Sequence, residues 1–257
     1  MDDKSWYNRQ YMNFDLKHIE SFRDILRNYS PANEAIDTLG SIELVILLGV
    51  TGSGRNTIID RLVSTGRYHF IVSDTTRLPK VRDGLLEQDG VQYHFRTEEE
   101  VLQDLKDGKF LEAEVIHNQQ VSGISIRELE RARSSGKIPI NEVDIAGTVN
   151  IVAAKPDTKM FFIIPPSYDE WTRRLYAREE MSQQELSNRM NTAVRVLETG
   201  LSSDHFKFII NELPDEAAQA IDRQVTSGIF DEAHDRIARE IAQEILVETK
   251  RRYPGTH

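Results

Sequence analysis

The chain contains no cysteine among its 257 residues, which excludes disulfides, thiolate metal sites and cysteine nucleophiles. No stretch approaches the ~18 consecutive apolar residues of a membrane-crossing helix. The N-terminus, Met-Asp-Asp-Lys-Ser-Trp, lacks the apolar core of a signal peptide, so a cytoplasmic location is the expectation. Positive charge is in deficit: 32 Lys and Arg stand against 42 Asp and Glu, for a formal net charge of −10. That balance argues against nucleic acid or an anionic membrane as a partner, because both reward a basic face. A small anionic ligand needs only a local group of arginines. The seven histidines show no H-E-x-x-H or related spacing, so no dedicated protein metal site is expected. Internal repeats and low-complexity tracts are also missing.

What is present suits an α/β protein, with 39% hydrophobic and 29% charged residues. Apolar strand candidates near 42–48, 69–73, 110–116, 138–144, 160–164 and 207–211 alternate with helical segments that carry their own start signals. Four S/T-x-x-E capping boxes mark those starts: Thr97 with Glu100, Ser125 with Glu128, Ser167 with Glu170, and Ser182 with Glu185. Gly108, Gly136 and Gly200 are placed as helix stops. This alternation predicts a mostly parallel sheet with helices on both faces, whose ligands sit at the carboxyl ends of the strands. Residues 1–40 form an N-terminal helical extension, with Phe14, Leu16, Ile19, Phe22, Ile25 and Leu26 at helical spacing and Ser30-Pro31 opening a second helix that ends at Gly40. The main domain spans 41–228. Residues 229–257 add a C-terminal helix patterned on Phe230, Ala233, Ile237, Ile241 and Ile245. Both terminal helices are candidate surfaces for a homodimer.

The first strand runs into Gly49-Val50-Thr51-Gly52-Ser53-Gly54-Arg55-Asn56-Thr57. A buried strand, a glycine-rich turn and a following helix are the setting of a phosphate-binding loop, in which successive backbone N–H groups converge on an anion. The glycines fit G-x-x-x-x-G, but Arg55 stands where the loop lysine belongs and Asn56 where a metal-binding hydroxyl belongs. Arginine keeps the charge but is longer, planar and forked. Asn56 offers a neutral amide oxygen, and Thr57 retains a hydroxyl one step on.

Further along stand Val72-Ser73-Asp74-Thr75-Thr76-Arg77-Leu78-Pro79-Lys80, then Glu87-Gln88-Asp89-Gly90-Val91-Gln92-Tyr93-His94-Phe95, Phe110-Leu111-Glu112, and Val143-Asp144-Ile145-Ala146-Gly147. With the loop, these five pieces in this order resemble the guanylate kinase family, whose segments read V-S-x-T-T-R-x-P-R, E-x-x-G-x-x-Y-x-F, F-L/I-E and D-I-D-x-Q-G. The resemblance covers about 42–226. It implies a three-layer P-loop NTPase fold with a small GMP-binding-type subdomain (about 74–125) and an arginine-bearing lid (about 171–190). By that resemblance Ser73, Arg77, Lys80 and Tyr93 hold the acceptor phosphate, while Glu112 and Asp144 face guanine. ATP, with Mg²⁺ on its phosphates, lies on Gly49, Thr51, Gly52, Ser53, Gly54, Arg55, Asn56 and Thr57, with Asn211 near its adenine and Asn56 or Thr57 available to the metal. A hydroxyl, two cations and a phenol suit a doubly charged phosphate on chemistry alone.

The helix after Ser167 carries Arg174 and Arg178 on one face, and Arg189 follows eleven residues later. The spacings match the family's lid arginines, so Arg55, Arg77, Arg174, Arg178 and Arg189 are the catalytic candidates. The plainer alternative is an exposed helix laced with ion pairs, Glu170 with Arg174 and Glu179 or Glu180 nearby, and Arg173 reads as only that. The expected reaction is ATP-dependent phosphorylation of a purine nucleoside monophosphate, GMP or dGMP. The chain also departs from the pattern: the acceptor tyrosines of G-N-Y-Y-G-S/T are replaced by His117-Asn118-Gln119-Gln120-Val121-Ser122-Gly123-Ile124-Ser125, with Ser122 or Ser125 as the remaining hydroxyl. Those changes, with Arg55 and Asn56, leave open an alternative: a catalytically impaired module that binds nucleotide or a phosphorylated protein partner.

Overall fold

The apolar run Val45 to Leu48 becomes the middle strand of a parallel sheet. The computed structural model describes residues 16–82, 84–178 and 181–254; the side chains of Arg82, Ala146 and Arg178 lie outside the described residues, as do Phe14, Glu179 and Glu180. The first half of the chain gives α1 (Ile19–Leu26), α2 (Asn33–Gly40), β1 (Val45–Gly49), α3 (Arg55–Ser64) and β2 (Tyr68–Phe70). The short strands β3 (Asp74–Thr75), β4 (Val81–Arg82), β5 (Leu85–Leu86) and β6 (His94–Phe95) follow, then α4 (Glu98–Lys106), β7 (Phe110–Ile116), β8 (Gln120–Ser125) and α5 (Ile126–Ser134). The second half gives β9 (Ile138–Glu142), α6 (Ile145–Ala154), β10 (Lys159–Ile164), α7 (Tyr168–Arg178), α8 (Gln183–Leu201), β11 (Phe206–Ile210), α9 (Pro214–Ser227) and α10 (Glu232–Arg252).

These elements form two compact units. The larger unit comprises Glu43–Phe70, Gly136–Thr148 and the chain from Asp157 onward. Its five strands run in the order β11-β10-β1-β9-β2, all parallel. Strand alternation divides its core. Val45, Leu47, Phe161, Ile163 and Ile209 pack with Ile58, Ile59 and Leu62 of α3 and Ile221 and Val225 of α9. On the opposite face Phe162 stacks on Phe208 with ring centroids 4.6 Å apart, and α8 and α10 cover that side. Gly200 belongs to this packing and does not stop a helix: α8 continues through it, and a Cβ there would stand 2.3 Å from the Phe162 ring.

The other unit takes the described residues up to Ile42 together with Ile71–Ser135 and Val149–Pro156. Its sheet runs β6-β3-β8-β7, with β7 antiparallel to β8 and β8 antiparallel to β3. The segment 110–116 therefore forms a strand as expected but belongs to this mixed sheet, apart from the parallel one. Thr97 and Glu100 form the complete reciprocal capping box, and Ser182 caps α8. Ser125 does not cap α5 with its hydroxyl. Glu128 turns away instead to accept from Val72 N at 3.3 Å and to pair with His94 Nε2 at 3.0 Å. Burial pushes the Glu128 carboxyl up, but its bonds to His94, Val72 N–H and Arg131 outweigh that and hold it below the usual carboxylate range.

Each terminal extension covers the open edge of a sheet. Tyr29 Oη donates to Phe110 O at 2.8 Å and accepts from Phe110 N at 2.9 Å, occupying the free side of β7; its burial raises its own pKa to about 12. Phe22 and Leu16 pack with Val101, Leu105 and Phe110. At the other edge, Asp235 Oδ1 accepts from Phe208 N at 2.7 Å, His234 Nε2 from Ile210 N at 3.4 Å, and Arg239 donates to Phe206 O at 2.6 Å. The face of α10 that does this buries Ala238, Ala242, Ile245, Leu246 and Thr249, so it is rotated from the expected Ile237–Ile241 face. Asp235→Ala should strand the Phe208 N–H and lower stability by about 1–3 kcal/mol in urea unfolding. An unchanged midpoint would show that β11 does not depend on this contact.

Candidate functional site

The loop after β1 needs its glycines for close approach. Gly49 has φ +139°, and a Cβ on it would stand 2.2 Å from Ile163 O. At Gly54, φ +89°, a Cβ would meet Asn211 Nδ2 at 2.3 Å. Asn211 is 1% exposed and donates Nδ2 to Ser53 O at 2.7 Å. Its side chain therefore braces the loop. Trp171 Nε1 of α7 donates to Thr51 O at 2.8 Å, a second brace. Among the described residues, the buried Ser53 hydroxyl has no hydrogen-bond partner. The loop passes directly into α3, whose N-terminus adds the partial positive charge that suits an anion. Leu48, Gly49, Thr51, Arg55, Asp144 and Arg189 are among the residues lining a cavity over this loop.

The substituted loop positions converge on one carboxylate. Arg55 Nε lies 3.2 Å from Glu142 Oε2, and its Nη1 donates to Val143 O at 3.4 Å. With its amide nitrogen turned to the same group, Asn56 donates to both Glu142 oxygens at 3.1 Å. Parallel pairing of β9 with β1, Glu142 opposite Leu47, brings Glu142 to the loop. Next to it Asp144 accepts from Gly147 N at 3.0 Å and so caps α6. Thr57 is exposed.

On α7, Arg174 donates Nη1 to Asn211 O at 2.9 Å and pairs through Nε with Glu170 at 2.6 Å. Arg173 binds the same carboxylate through Nε and Nη2, at 2.7 and 2.8 Å. Those bonds, Arg173's first and then Arg174's, hold the Glu170 carboxyl down at about 2. The expected cap is also made, Glu170 N donating to Ser167 Oγ at 3.1 Å. Arg189 pairs with Glu185 at 2.7 Å. The Arg178 side chain lies outside the described residues.

The smaller unit holds the remaining candidates. Arg77 forks onto Glu87, Nη1 to Oε2 at 2.6 Å and Nη2 to Oε1 at 3.0 Å. Its guanidinium carbon sits 4.7 Å from the Tyr93 ring centroid and 5.6 Å from that of Phe95. Lys80 is exposed, and its backbone N–H donates to Glu87 at 2.9 Å. Glu112 lies at an irregularity between β7 and β8, where it accepts from Ile124 N at 3.2 Å and is 7% exposed. Ser122 donates to Thr75 Oγ1 at 2.8 Å. Ser73 is half-buried, and its carbonyl accepts from His94 N. Beneath them Asp74, 1% exposed, pairs with Arg127 at 2.8 Å and Arg96 at 2.9 Å; burial raises its pKa against both cations.

Glu142, Glu87 and Trp171 do not emerge from the sequence as site residues. Glu142 ends a strand one step before Val143-Asp144, a position that could have marked it. Glu87 is legible only as the first letter of E-x-x-G-x-x-Y-x-F. Nothing in the pattern around Trp171 separates it from an ordinary core aromatic.

A family model described as guanylate kinase matches residues 41–227. The chain is 33% identical over 180 residues to the guanylate kinase of Sulfurimonas denitrificans, covering 69% of this chain and 84% of that protein. Against guanylate kinase 1 of Arabidopsis thaliana it is 33% identical over 168 residues, 65% of this chain, and spans 42% of the length of that longer relative. The crystal structure of guanylate kinase from Anaplasma phagocytophilum superimposes with a TM-score of 0.53 at 23% identity, over 76% of this chain and 90% of that one. It shares the fold.

Proposed function

The chain belongs to the guanylate kinase family of phosphotransferases, and from that premise we propose that it transfers the γ-phosphoryl group of ATP to a nucleoside monophosphate, GMP or dGMP in preference. The observation that carries this reading is the Gly49–Gly54 loop, braced by Asn211 and Trp171 and opening onto Arg55 and the N-terminus of α3. Phosphoryl transfer asks little covalent chemistry of the protein; it needs positioning and neutralisation of spreading negative charge. The loop N–H groups and Arg55 would hold the ATP phosphates, Arg174, Arg178 and Arg189 would close on the transferred group, and Arg77 with Ser73, Lys80 and Tyr93 would fix the acceptor phosphate. An acceptor phosphate oxygen attacks in line, so no covalent enzyme intermediate forms. Glu112 and Asp144 would accept from guanine N1–H and the exocyclic amine.

Kinases of this family use ATP with a divalent metal, and we take the metal to be Mg²⁺ entering as part of the substrate. The donor set favours that: Asn56 and Thr57 are neutral, and the Glu142 carboxylate already faces a guanidinium. The phosphates themselves therefore keep the metal. The domain limits expected from the sequence are kept in this reading, with 41–228 as the kinase domain. No described helix is long and apolar enough to cross a membrane, and the cytoplasm supplies both substrates. Both terminal helices bury apolar faces within their own units, so a homodimer through them is not required.

A second reading draws on one observation. Arg55, Arg77, Arg174 and Arg189 each hold a glutamate, an arrangement that also suits a module without turnover. Phosphoryl transfer from Mg-ATP across a panel of nucleoside monophosphates, read beside ATP and GMP binding, separates the two. Turnover with GMP is expected; its absence with every acceptor, together with absent ATP binding, would leave only the module. If the enzyme turns over, Glu112→Ala should reduce the GMP-over-AMP ratio of kcat/KM by at least about tenfold. Glu112→Gln should keep the fold and still lose selectivity. A preserved ratio in both would show that the base is read elsewhere.

A further inference from the structure

The two residues that break the loop pattern share one acidic partner. Arg55 and Asn56 are adjacent and chemically different, yet both donate to Glu142, from 3.2 Å and from 3.1 Å to each oxygen. An Arg–carboxylate pair in a partly enclosed site is strong enough to compete with other anions. Here the carboxylate is 30% exposed and the guanidinium 19%, so neither group is so deeply buried that the pair cannot open. Val143 O accepts from the same guanidinium and fixes which way the fork points. A nucleotide phosphate on the loop would want the same donors that Glu142 now uses. Two other charged residues line the cavity over the loop, and each is engaged: Asp144 caps α6, and Arg189 is paired with Glu185.

We propose that Glu142 is the counterion which Arg55 exchanges for a nucleotide phosphate, and that it thereby sets nucleotide affinity and holds the arginine in position between turnovers. Glu142 is a positioning residue in this scheme; it touches no reacting atom. The inference rests on the loop being a phosphate site. It adds that Arg55, Asn56 and Glu142 act as one coupled unit, in which the long arginine is kept from folding away by a carboxylate and released by the stronger, doubly charged competitor.

The experiment uses ADP without metal, in EDTA, so that any direct effect of Glu142 on a metal is removed. Calorimetric affinity is measured for the full chain, Glu142→Gln, Arg55→Gln and the double variant, with thermal unfolding and Mg-ATP turnover read on each. Glu142→Gln should bind ADP about tenfold more tightly, because one competing negative charge is gone. In the Arg55→Gln background the same change should give little, since no guanidinium remains to release. Equal tightening in both backgrounds would reduce Glu142 to a general repulsive charge and overturn the exchange. Weaker binding by Glu142→Gln, with or without lowered thermal stability, overturns it as well. Should turnover be absent with every acceptor while the affinities behave as expected, the loop binds nucleotide without transfer, which favours the module, and the exchange stands. If none of the four proteins binds ADP, both fall.

Discussion

A chain carrying Arg77→Ala should phosphorylate GMP about a thousandfold more slowly, at the lower end of what a charge-neutralising arginine contributes to phosphoryl transfer. The same change should also lower folding stability by about 3–5 kcal/mol, the cost of breaking a buried ion pair from one side. Both effects follow from how Arg77 is held. Its fork meets Glu87, 2% exposed in its side chain, and its plane lies against Tyr93 and Phe95. Removing the guanidinium strips both fork bonds from a carboxylate that is almost wholly buried. Arg77→Lys should recover part of the stability and little of the rate, because an ammonium cannot form the fork or stack flat on a ring. The double variant Arg77→Ala, Glu87→Ala separates the two effects: stability should return in unfolding experiments while turnover stays low. Recovery of turnover as well would mean that Arg77 serves the fold and not the acceptor.

Gly49→Ala should be the most damaging single methyl in the loop. The added carbon would sit 2.2 Å from a backbone oxygen of β10, which cannot rotate away, and φ +139° is itself unfavourable for alanine. A loss of about 3 kcal/mol is expected from strain and overlap together, along with nucleotide binding, since β1 can relieve the clash only by leaving β10 and displacing the loop. Gly66→Ala supplies the comparison. Gly66 also has positive φ, +78°, but a Cβ there meets nothing within 4 Å, so only the conformational cost of about 1 kcal/mol remains. Urea unfolding of the two variants, with ADP binding on each, checks the account. If Gly49→Ala proves no worse than Gly66→Ala, close approach is not why glycine is there.

The parallel sheet was legible because its central strands are continuous apolar runs, Val45 to Leu48 and Met160 to Ile164, each buried from both sides. The smaller sheet was not, because β3 and β6 are two residues long and their pairing depends on partners far along the chain. Gly200 misled for a related reason: a glycine near a helix end looks like a stop, whereas this one admits the Phe162 ring. The loop and the arginines could be found by spacing. Glu170 and Glu185, four residues from Arg174 and Arg189, could be found the same way; the other two glutamate partners could not, since Glu142 reaches Arg55 only through the β1–β9 register and Glu87 reaches Arg77 only through the turn that bonds Glu87 N to Lys80 O. Asp235, His234 and Arg239 read in one dimension as the solvated side of a helix. In three dimensions they are hydrogen-bond partners of a strand.

The edge coverage by Tyr29 and by α10 has a practical consequence for anyone who would trim this chain. The span matched by the family model, 41–227, omits both. A fragment cut to those limits would carry β7 and β11 with unpaired backbone donors and acceptors, ready to template strands from neighbouring molecules. Its tendency would be to precipitate, and an inactive preparation of that kind would say nothing about the chemistry of the loop.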